Sequence, residues 1–167
     1  TGTDRIYEAF QKLNLVNIDY VLNLQGDEPM IDIQDIKNLN DIVHKNKTDM
    51  ATLACKIKND EELLNENIVK VQTEYPLKLL SSSRSINFSR KISNMDSENI
   101  YHHIGIYMYK ISTLKQITNL PQTDNEIKFK LEQLRALENG IKIDTVLANT
   151  VPIGIDTEKD YVEIKNL

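Results

Sequence analysis

The sequence predicts a three-layer α/β/α domain with a mixed, largely parallel sheet. Apolar residues recur at helical spacing in some segments and alternate with polar residues in others, and the two kinds of segment interleave in both halves of the chain. The chain has 167 residues, 40% of them hydrophobic, which is enough for one domain to bury a core. We therefore expect residues 1–167 to form a single domain.

The first half of the chain predicts two helices and four strands. Asp32 is suited to cap the second helix, because its carboxylate can accept hydrogen bonds from the first backbone amides. The polar residues 87–99 predict a loop. In chain order, the elements are a helix over residues 4–13, a strand over 18–24, the helix after Asp32, and strands over 51–57, 68–72 and 77–82.

The second half opens with a strand over residues 101–110, whose alternating residues form two distinct faces. Thr123 and Glu126 then have capping-box spacing at the start of a helix whose apolar stripe ends at Asn139-Gly140. The stripe consists of Ile127, Leu131, Leu134 and Leu137. A strand over residues 141–147 and a last helix from about Glu158 complete the pattern.

The composition excludes some classes of partner. With 25 acidic and 20 basic residues the net charge is -5, and no cluster of Lys and Arg is dense enough to follow a phosphate backbone, so we expect no nucleic-acid partner. No stretch reaches the roughly 20 apolar residues of a transmembrane helix, so we expect no membrane partner. The single cysteine, Cys55, cannot form an internal disulfide, and we expect a reducing compartment, the cytoplasm.

A charged turn, QGDEP at residues 25–29, follows the predicted strand over residues 18–24. Open α/β sheets place their ligands at the carboxyl ends of strands, Gly26 would let a ligand approach the backbone, and Pro29 would stiffen the turn. Gly, Asp and Pro are also common in ordinary turns. Position alone therefore leaves two interpretations of Asp27, as a ligand-binding residue and as a turn residue.

Asp156, in GIDT at residues 154–157, also has two interpretations. It precedes a predicted helix start, and capping alone would explain it. If Asp27 and Asp156 instead meet, two carboxylates roughly 4 Å apart repel by about 4 kcal/mol at an effective dielectric near 20, so the pair needs a shared proton or a cation. For a phosphate substrate that cation would be Mg²⁺.

His103 and Tyr107 lie on one face of the predicted strand over residues 101–110. At ~3.3 Å per residue they are about 13 Å apart, with Gly105 between them. This arrangement suits a polyhydroxy ligand lying against bare backbone. A His and a Tyr packed under a helix are nevertheless the commoner outcome.

Two further groups of polar residues allow alternatives. Glu132 and Gln133 fall beside the apolar stripe of the second-half helix, either as a solvated face or as a pair that binds sugar hydroxyls, and Arg135 flanks the stripe on the other side. Arg84 and Arg90 lie in a serine-rich run, where they either receive a carboxylate or phosphate or simply belong to a loop.

Together these stretches resemble the 3-deoxy-manno-octulosonate cytidylyltransferases. The chain contains neither G-x-x-x-x-G-K-[ST] nor G-x-G-x-x-G. The resemblance covers the whole chain in the family's order, and the combination of QGDEP, HIGIY and LEQLRALENG is specific. The matching segments are TGTDR at 1–5, LNLQGDEPMI at 22–31, MATLACKI at 50–57, NIVKV at 67–71, SRS at 83–85, HIGIYMY at 103–109, LEQLRALENGIKI at 131–143 and GIDTEKD at 154–160.

The resemblance implies a nucleotidyltransferase-like, Rossmann-like fold and the transfer of CMP from CTP to 3-deoxy-D-manno-octulosonate (Kdo), with release of pyrophosphate, for lipopolysaccharide synthesis. It implies a Mg²⁺-dependent reaction in a homodimer. The site residues that it implies are Asp27 and Asp156 as metal-binding catalytic residues, Gln25 facing nucleotide and sugar, His103, Tyr107, Glu132 and Gln133 in the Kdo pocket, Arg84 near the sugar acid, and Thr3 and Arg5 on the nucleotide side.

The chain departs from the family pattern at several positions. His102 stands where the family usually has Lys or Arg, so a fixed positive charge is replaced by a titratable one. Ile86-Asn87 replaces an isoleucine-proline pair, and Phe129 replaces a residue that is commonly acidic. The chain also begins with Thr, where the family has a further N-terminal segment with a basic loop for the CTP triphosphate. We therefore expect a truncated chain that is inactive alone.

Two alternative functions stay open on the residues alone. One is a cytidylyltransferase for another acidic sugar of the sialic acid type, against which HIGIY and LEQLR favour Kdo. The other is a noncatalytic dimerisation module that retains the fold, against which the presence of both Asp27 and Asp156 counts.

Overall fold

The computed structural model describes residues 1–26, 30–95 and 98–150, together with Val162 and Lys165. Helices and strands interleave in it as the sequence predicts. The helices are α1 (Gly2–Lys12), α2 (Ile33–Asn46), α3 (Asp60–Leu64), α4 (Ile111–Asn119), α5 (Asp124–Phe129) and α6 (Gln133–Glu138). The strands are β1 (Tyr20–Asn23), β2 (Met50–Cys55), β3 (Lys70–Thr73), β4 (Ser82–Ser89), β5 (Ile100–Lys110) and β6 (Asp144–Leu147).

Side-chain caps fix the start of two helices where the sequence predicts them. The Asp32 carboxylate accepts a hydrogen bond from the Gln34 amide at 2.8 Å and begins α2. Thr123 and Glu126 form the predicted capping box of α5, with each side chain bonded to the other residue's backbone amide.

The six strands form one sheet in the order β1-β5-β2-β6-β4-β3, and β3 also pairs with β5. The pairings therefore run in a closed series, β5-β2-β6-β4-β3-β5, which we call the strand circuit; β1 lies outside it, paired to β5. The α/β fold with a mixed sheet is confirmed. Helices pack on both faces, as a three-layer fold requires.

The parallel share of the sheet is smaller than predicted. Among the described strands, β2 pairs with β6 in parallel, whereas the other pairings are antiparallel. Parallel neighbours need a long crossover, usually a helix. The chain instead passes from β3 to β4 through a turn that contains no α-helix, and these two strands therefore pair antiparallel.

The two faces of the sheet carry separate apolar clusters. On one face Leu39 and Val43 of α2 pack with strand residues that include Ile104. On the other face Leu114 of α4 and Leu134 of α6 pack with residues that include the tyrosines of β5. Within the described residues, no helix combines the length and the apolar character needed to cross a membrane.

Two predicted elements of the first half are wrong. Residues 77–82 form a turn, since Leu80 has a positive φ of 58° and the strand begins at Ser82. The predicted loop over residues 87–99 begins later than expected, because β4 continues to Ser89 and a 3-10 turn follows over Ile92–Asn94. In both cases the polar and apolar residues alternate too weakly for the strand to be located from local pattern.

The single helix predicted from Thr123 to Asn139 is two helices, α5 and α6. Lys130, with φ of 55°, adopts the left-handed conformation that ends α5, and the chain turns before α6 begins. The turn buries Leu131 and Leu134 but leaves Ile127 59% exposed, so Ile127 is not part of the core. The predicted end at Asn139-Gly140 is confirmed, with Gly140 at φ of 74°. The last predicted helix, from Glu158, starts outside the described residues.

Candidate active site

β5 has two chemically different faces, as its alternation predicts. Ile104, Ile106 and Met108 belong to the apolar cluster under α2. His103 and Tyr107 lie on the opposite face, where their ring centroids are 5.4 Å apart. Tyr109 stacks on Tyr107 with 5.8 Å between centroids and continues the row.

His103 is a neutral imidazole whose orientation is fixed by β2. Its Nε2 lies 2.9 Å from Oγ1 of Thr52, and that hydroxyl also lies within 3.1 Å of the carbonyl oxygens of Ile104 and Ile106. Because carbonyls only accept, the Thr52 proton goes to them and His103 Nε2 donates to Thr52. Burial, reinforced by His102, lowers the pKa of His103 to about 3. Its Nδ1 is then an acceptor, and no described residue donates to it.

Tyr107 carries the one buried side-chain polar atom in the described ranges that has no hydrogen-bond partner, its hydroxyl oxygen. Burial first, then Tyr109 and the Glu132 carboxylate, raise the pKa of Tyr107, while nearby Thr52, which does not reach hydrogen-bond geometry, lowers it by less, so the hydroxyl keeps its proton. Leaving such a group unpaired costs free energy. The Tyr107 hydroxyl is therefore suited to bind a polar group of a ligand.

Gln25 reaches the same face from the turn after β1. Its side-chain amide lies against Gly105, so close that a Cβ at position 105 would be 3.2 Å from Oε1 of Gln25. Glycine at this point of β5 lets the amide rest on the backbone, whereas a Cβ would require the Gln25 side chain to shift by a few tenths of an ångström. Gln25 thus lies over Gly105, so the predicted stretch of bare backbone between His103 and Tyr107 is wrong, and the two rings pack together at 5.4 Å.

Glu132 and Gln133 stand at the start of α6. Glu132 accepts hydrogen bonds from the backbone amides of Gly2 at 2.8 Å and Thr3 at 2.9 Å, and from the Thr3 hydroxyl at 2.8 Å. Burial alone would raise the pKa of Glu132, but these bonds lower it below its usual value, so the carboxylate is ionised. Gln133 is buried, and its amide bonds to no described residue. The interpretation as a solvated face is therefore wrong for both residues.

Three other predicted site residues, Thr3, Arg5 and Arg84, lie on α1 and β4. Thr3 is buried at the start of α1 and bonded to Glu132, whereas Arg5 is exposed on the same helix. Arg84 is exposed on β4, opposite Asp144 in the register. Asp144 belongs to the sheet face that α2 covers, so Arg84 is not brought together with His103.

The two predicted metal ligands, Asp27 and Asp156, lie outside the described residues. Within those that are described, no three His, Cys, Asp or Glu side chains group as a metal site. The donor chemistry of the pair fits Mg²⁺, which prefers hard carboxylate oxygens. Among the described residues, the first turn of α2 is bonded to Asn149 and Thr150.

Asp35 makes that connection. This fully buried residue in the first turn of α2 accepts hydrogen bonds from the backbone amides of Asn149 at 2.9 Å and Thr150 at 3.3 Å. Two side chains also donate to Asp35: the side-chain amide of Asn149 at 3.0 Å and the hydroxyl of Thr150 at 2.9 Å. Residues 149 and 150 are therefore attached to the first turn of α2.

Sequence reasoning missed three contributors to this region. Asp35 lies three residues after the N-cap Asp32, where an acidic side chain is ordinary, so no local signal indicates its bonds to residues 149–150. Thr52 is a lone hydroxyl in an apolar strand, which is a weak signal that it binds His103. Arg135 was placed beside the apolar stripe but is only 2% exposed.

Three comparisons place the chain among known proteins. Residues 1–143 match the family model described as cytidylyltransferase. The chain is 41% identical to the 3-deoxy-manno-octulosonate cytidylyltransferase of Paramagnetospirillum magneticum, over 100% of this chain and 68% of that protein. It is also 41% identical to the protein of the same name from Brucella canis, over 96% of this chain and 64% of that protein.

A solved structure shows the same fold. The structure of CMP:2-keto-3-deoxy-manno-octonic acid synthetase complexed with CTP matches 100% of this chain and 69% of that one, with a TM-score of 0.81 and 29% sequence identity. The chain thus spans about two thirds of the length of the relatives that it matches. With the polar face of β5 formed by the residues expected from the sequence motifs, the chain belongs to the cytidylyltransferase family, and within it to the 3-deoxy-manno-octulosonate cytidylyltransferases.

Proposed function

We propose that the protein containing this chain transfers CMP from CTP to the anomeric hydroxyl of Kdo. The anomeric oxygen forms the new bond to the α-phosphorus, and the bond to pyrophosphate breaks. The relatives' names and the CTP-complexed structure support the nucleotide and the sugar acid. The observation that carries the proposal is the buried Tyr107 hydroxyl, unpartnered among the described residues, beside a neutral His103 and the Gln25 amide.

These residues suit a sugar with many hydroxyl groups. Nδ1 of His103 can accept a hydrogen bond from a sugar hydroxyl, and the Tyr107 hydroxyl can donate or accept one. Because His103 is neutral, it binds hydroxyls and leaves the carboxylate of the sugar acid to other groups. Burial removes competing water and strengthens each of these hydrogen bonds.

We further propose that Asp27 and Asp156 hold Mg²⁺, which when bound would neutralise charge at the phosphates of CTP. The assignment rests on the family resemblance and on the preference of Mg²⁺ for carboxylate oxygens. We also propose a cytoplasmic homodimer, on the family resemblance. Sedimentation of the full-length protein tests the dimer.

Turnover tests the proposed function directly. The full-length protein is mixed with CTP, Kdo and Mg²⁺, and pyrophosphate release is measured. We expect release that depends on Kdo and on the metal, and that a sialic acid in place of Kdo does not support. If pyrophosphate release is faster with the sialic acid, the substrate is a sialic acid and not Kdo. If neither sugar supports release, the proposed function is contradicted.

Two tyrosines of β5 give a matched pair of variants. Tyr107→Phe removes the unpartnered hydroxyl, so we expect the KM for Kdo to rise about 3- to 10-fold while the melting temperature is unchanged or higher. Tyr101→Phe removes a hydroxyl that accepts a hydrogen bond from the Leu77 amide at 2.8 Å. We expect this control to melt at a lower temperature with an unchanged KM. An unchanged KM in Tyr107→Phe would remove Tyr107 from the sugar site.

A further inference from the structure

The family resemblance places Glu132 in the sugar pocket, but its contacts point to another role. Each carboxylate oxygen is bonded to the start of α1, Oε1 to the Gly2 amide and Oε2 to the amide and hydroxyl of Thr3. Three of the roughly four acceptor positions of the carboxylate are therefore occupied. Gly2 is fitted to this contact, because a Cβ there would lie 3.3 Å from Oε1.

The amides of Gly2 and Thr3 have no partner within α1, since the first amides of a helix have no preceding carbonyl to bond. Glu132 supplies the missing acceptors from the start of α6, 129 and 130 positions away in the chain. Its negative charge also faces the positive end of the α1 dipole. The contact is therefore a cap provided by a distant element.

The capped end of α1 is attached to the sugar-facing side of β5. The Tyr109 hydroxyl, whose pKa is raised by burial, lies close to the Thr3 hydroxyl and can donate to it, since the Thr3 proton goes to Glu132. Tyr109 stacks on Tyr107, the residue with the unpartnered hydroxyl. Arg135, one turn after Glu132, bonds to Asp4 at 3.3 Å and strengthens the same attachment.

We propose that Glu132 is a positioning residue that acts through α1. It locks the Gly2-Thr3 end of the helix against β5 and so fixes the tyrosine row on which the sugar site depends. The catalytic consequence rests on the proposed function, whereas the locking of α1 does not.

Glu132→Gln separates positioning from direct sugar binding. An amide has one acceptor oxygen and would turn its NH₂ group toward a backbone N–H, so it cannot cap both residues, although it can still bond to sugar hydroxyls. We expect the Gly2 and Thr3 amides of the ligand-free full-length protein to exchange hydrogen about tenfold faster or more. We also expect kcat/KM to fall for both substrates. Glu138→Gln, the same change on exposed Glu138 of α6, is the control and should leave exchange at Gly2 and Thr3 unchanged.

Thr3→Val gives a second measurement that leaves Glu132 intact. It removes one of the three donors, so we expect a smaller acceleration of exchange in the same direction. If Glu132 acted as a sugar ligand, Thr3→Val would leave the KM for Kdo unchanged. Unchanged amide exchange in Glu132→Gln overturns the inference, and if that variant does not fold, unchanged exchange in Thr3→Val overturns it. If the wild-type protein shows no turnover, the proposed function is contradicted. The amide exchange measurement would still decide whether Glu132 locks the start of α1.

Discussion

At the scale of single residues, the environment of His103 determines its charge. The imidazole donates to Thr52 and packs edge-on against the ring of Phe88, with centroids 5.3 Å apart. Neither neighbour can stabilise a positive charge. A buried His in such surroundings stays neutral, which lets its second nitrogen act as an acceptor at physiological pH.

The lowered pKa of His103 predicts a pH dependence of stability. The folded-state pKa is about 3 and the unfolded value is about 6.5, so below pH 6.5 the unfolded chain binds a proton that the folded chain excludes. Stability is therefore fully present above pH 6.5 and falls as the pH approaches 3. We expect a loss of about 2 kcal/mol between pH 7.5 and pH 5, measured by urea unfolding.

His103→Gln keeps an N–H donor near Thr52 but has no imidazole to protonate, so it should lack this loss. His44→Gln, a change on the exposed face of α2, is the control and should keep the wild-type pH dependence. Equal pH slopes in wild type and His103→Gln would contradict the assignment of a neutral, buried His103.

At the scale of elements, a buried ion pair joins α5 and α6. Arg135 donates from Nε at 2.8 Å and from Nη2 at 2.6 Å to the two carboxylate oxygens of Glu126. Burial alone would raise the pKa of Glu126, but Arg135 and Gln122 lower it. The break at Lys130 makes this pair possible, because it turns α6 back onto α5.

Removing one partner of this pair should be costly. Arg135→Met leaves the Glu126 carboxylate buried without its partner, and we expect a loss of about 3–5 kcal/mol in the free energy of unfolding, measured in urea. Lys12→Met breaks an exposed pair with Glu8, and we expect less than about 1 kcal/mol. If the two variants lose similar stability, Arg135 is not acting as a buried partner.

At the scale of the whole molecule, the strand circuit and β1 should differ in stability. β2, β5 and β6 each have strand neighbours on both sides, whereas in the described part of the chain β1 pairs with β5 alone. We expect amides of β2 and β6 in the 167-residue chain to exchange only through global unfolding. Amides of β1 should exchange at lower free energy, as measured by native-state hydrogen exchange. Equal protection of β1 and β2 would contradict this.

Local signals predicted much of the fold. The caps at Asp32 and Thr123 and the end at Gly140 are where the sequence indicates, because capping depends on residues within one turn. The left-handed turn at Lys130 was missed, since a lysine gives no sign of a positive φ. The antiparallel character of the sheet was also missed, because it depends on which distant strands pair.

In the candidate site, too, local patterns were predicted from the sequence and tertiary contacts were missed. Alternation along β5 was sufficient to group His103, Gly105 and Tyr107 on one face. The bond from His103 to Thr52 depends on the register between β2 and β5, and the bonds of Glu132 depend on where α1 lies. Contacts of this kind are tertiary, and no spacing within one segment predicts them.

The contact between Gln25 and Gly105 has a consequence for how this protein can vary. A methyl group at position 105 would press on the Gln25 amide and require it to shift by a few tenths of an ångström. The two positions are therefore coupled, and added bulk at 105 fits more easily beside a shorter side chain at 25. In natural variants of this protein, a residue larger than Gly at 105 should therefore occur mainly together with a shorter residue at 25.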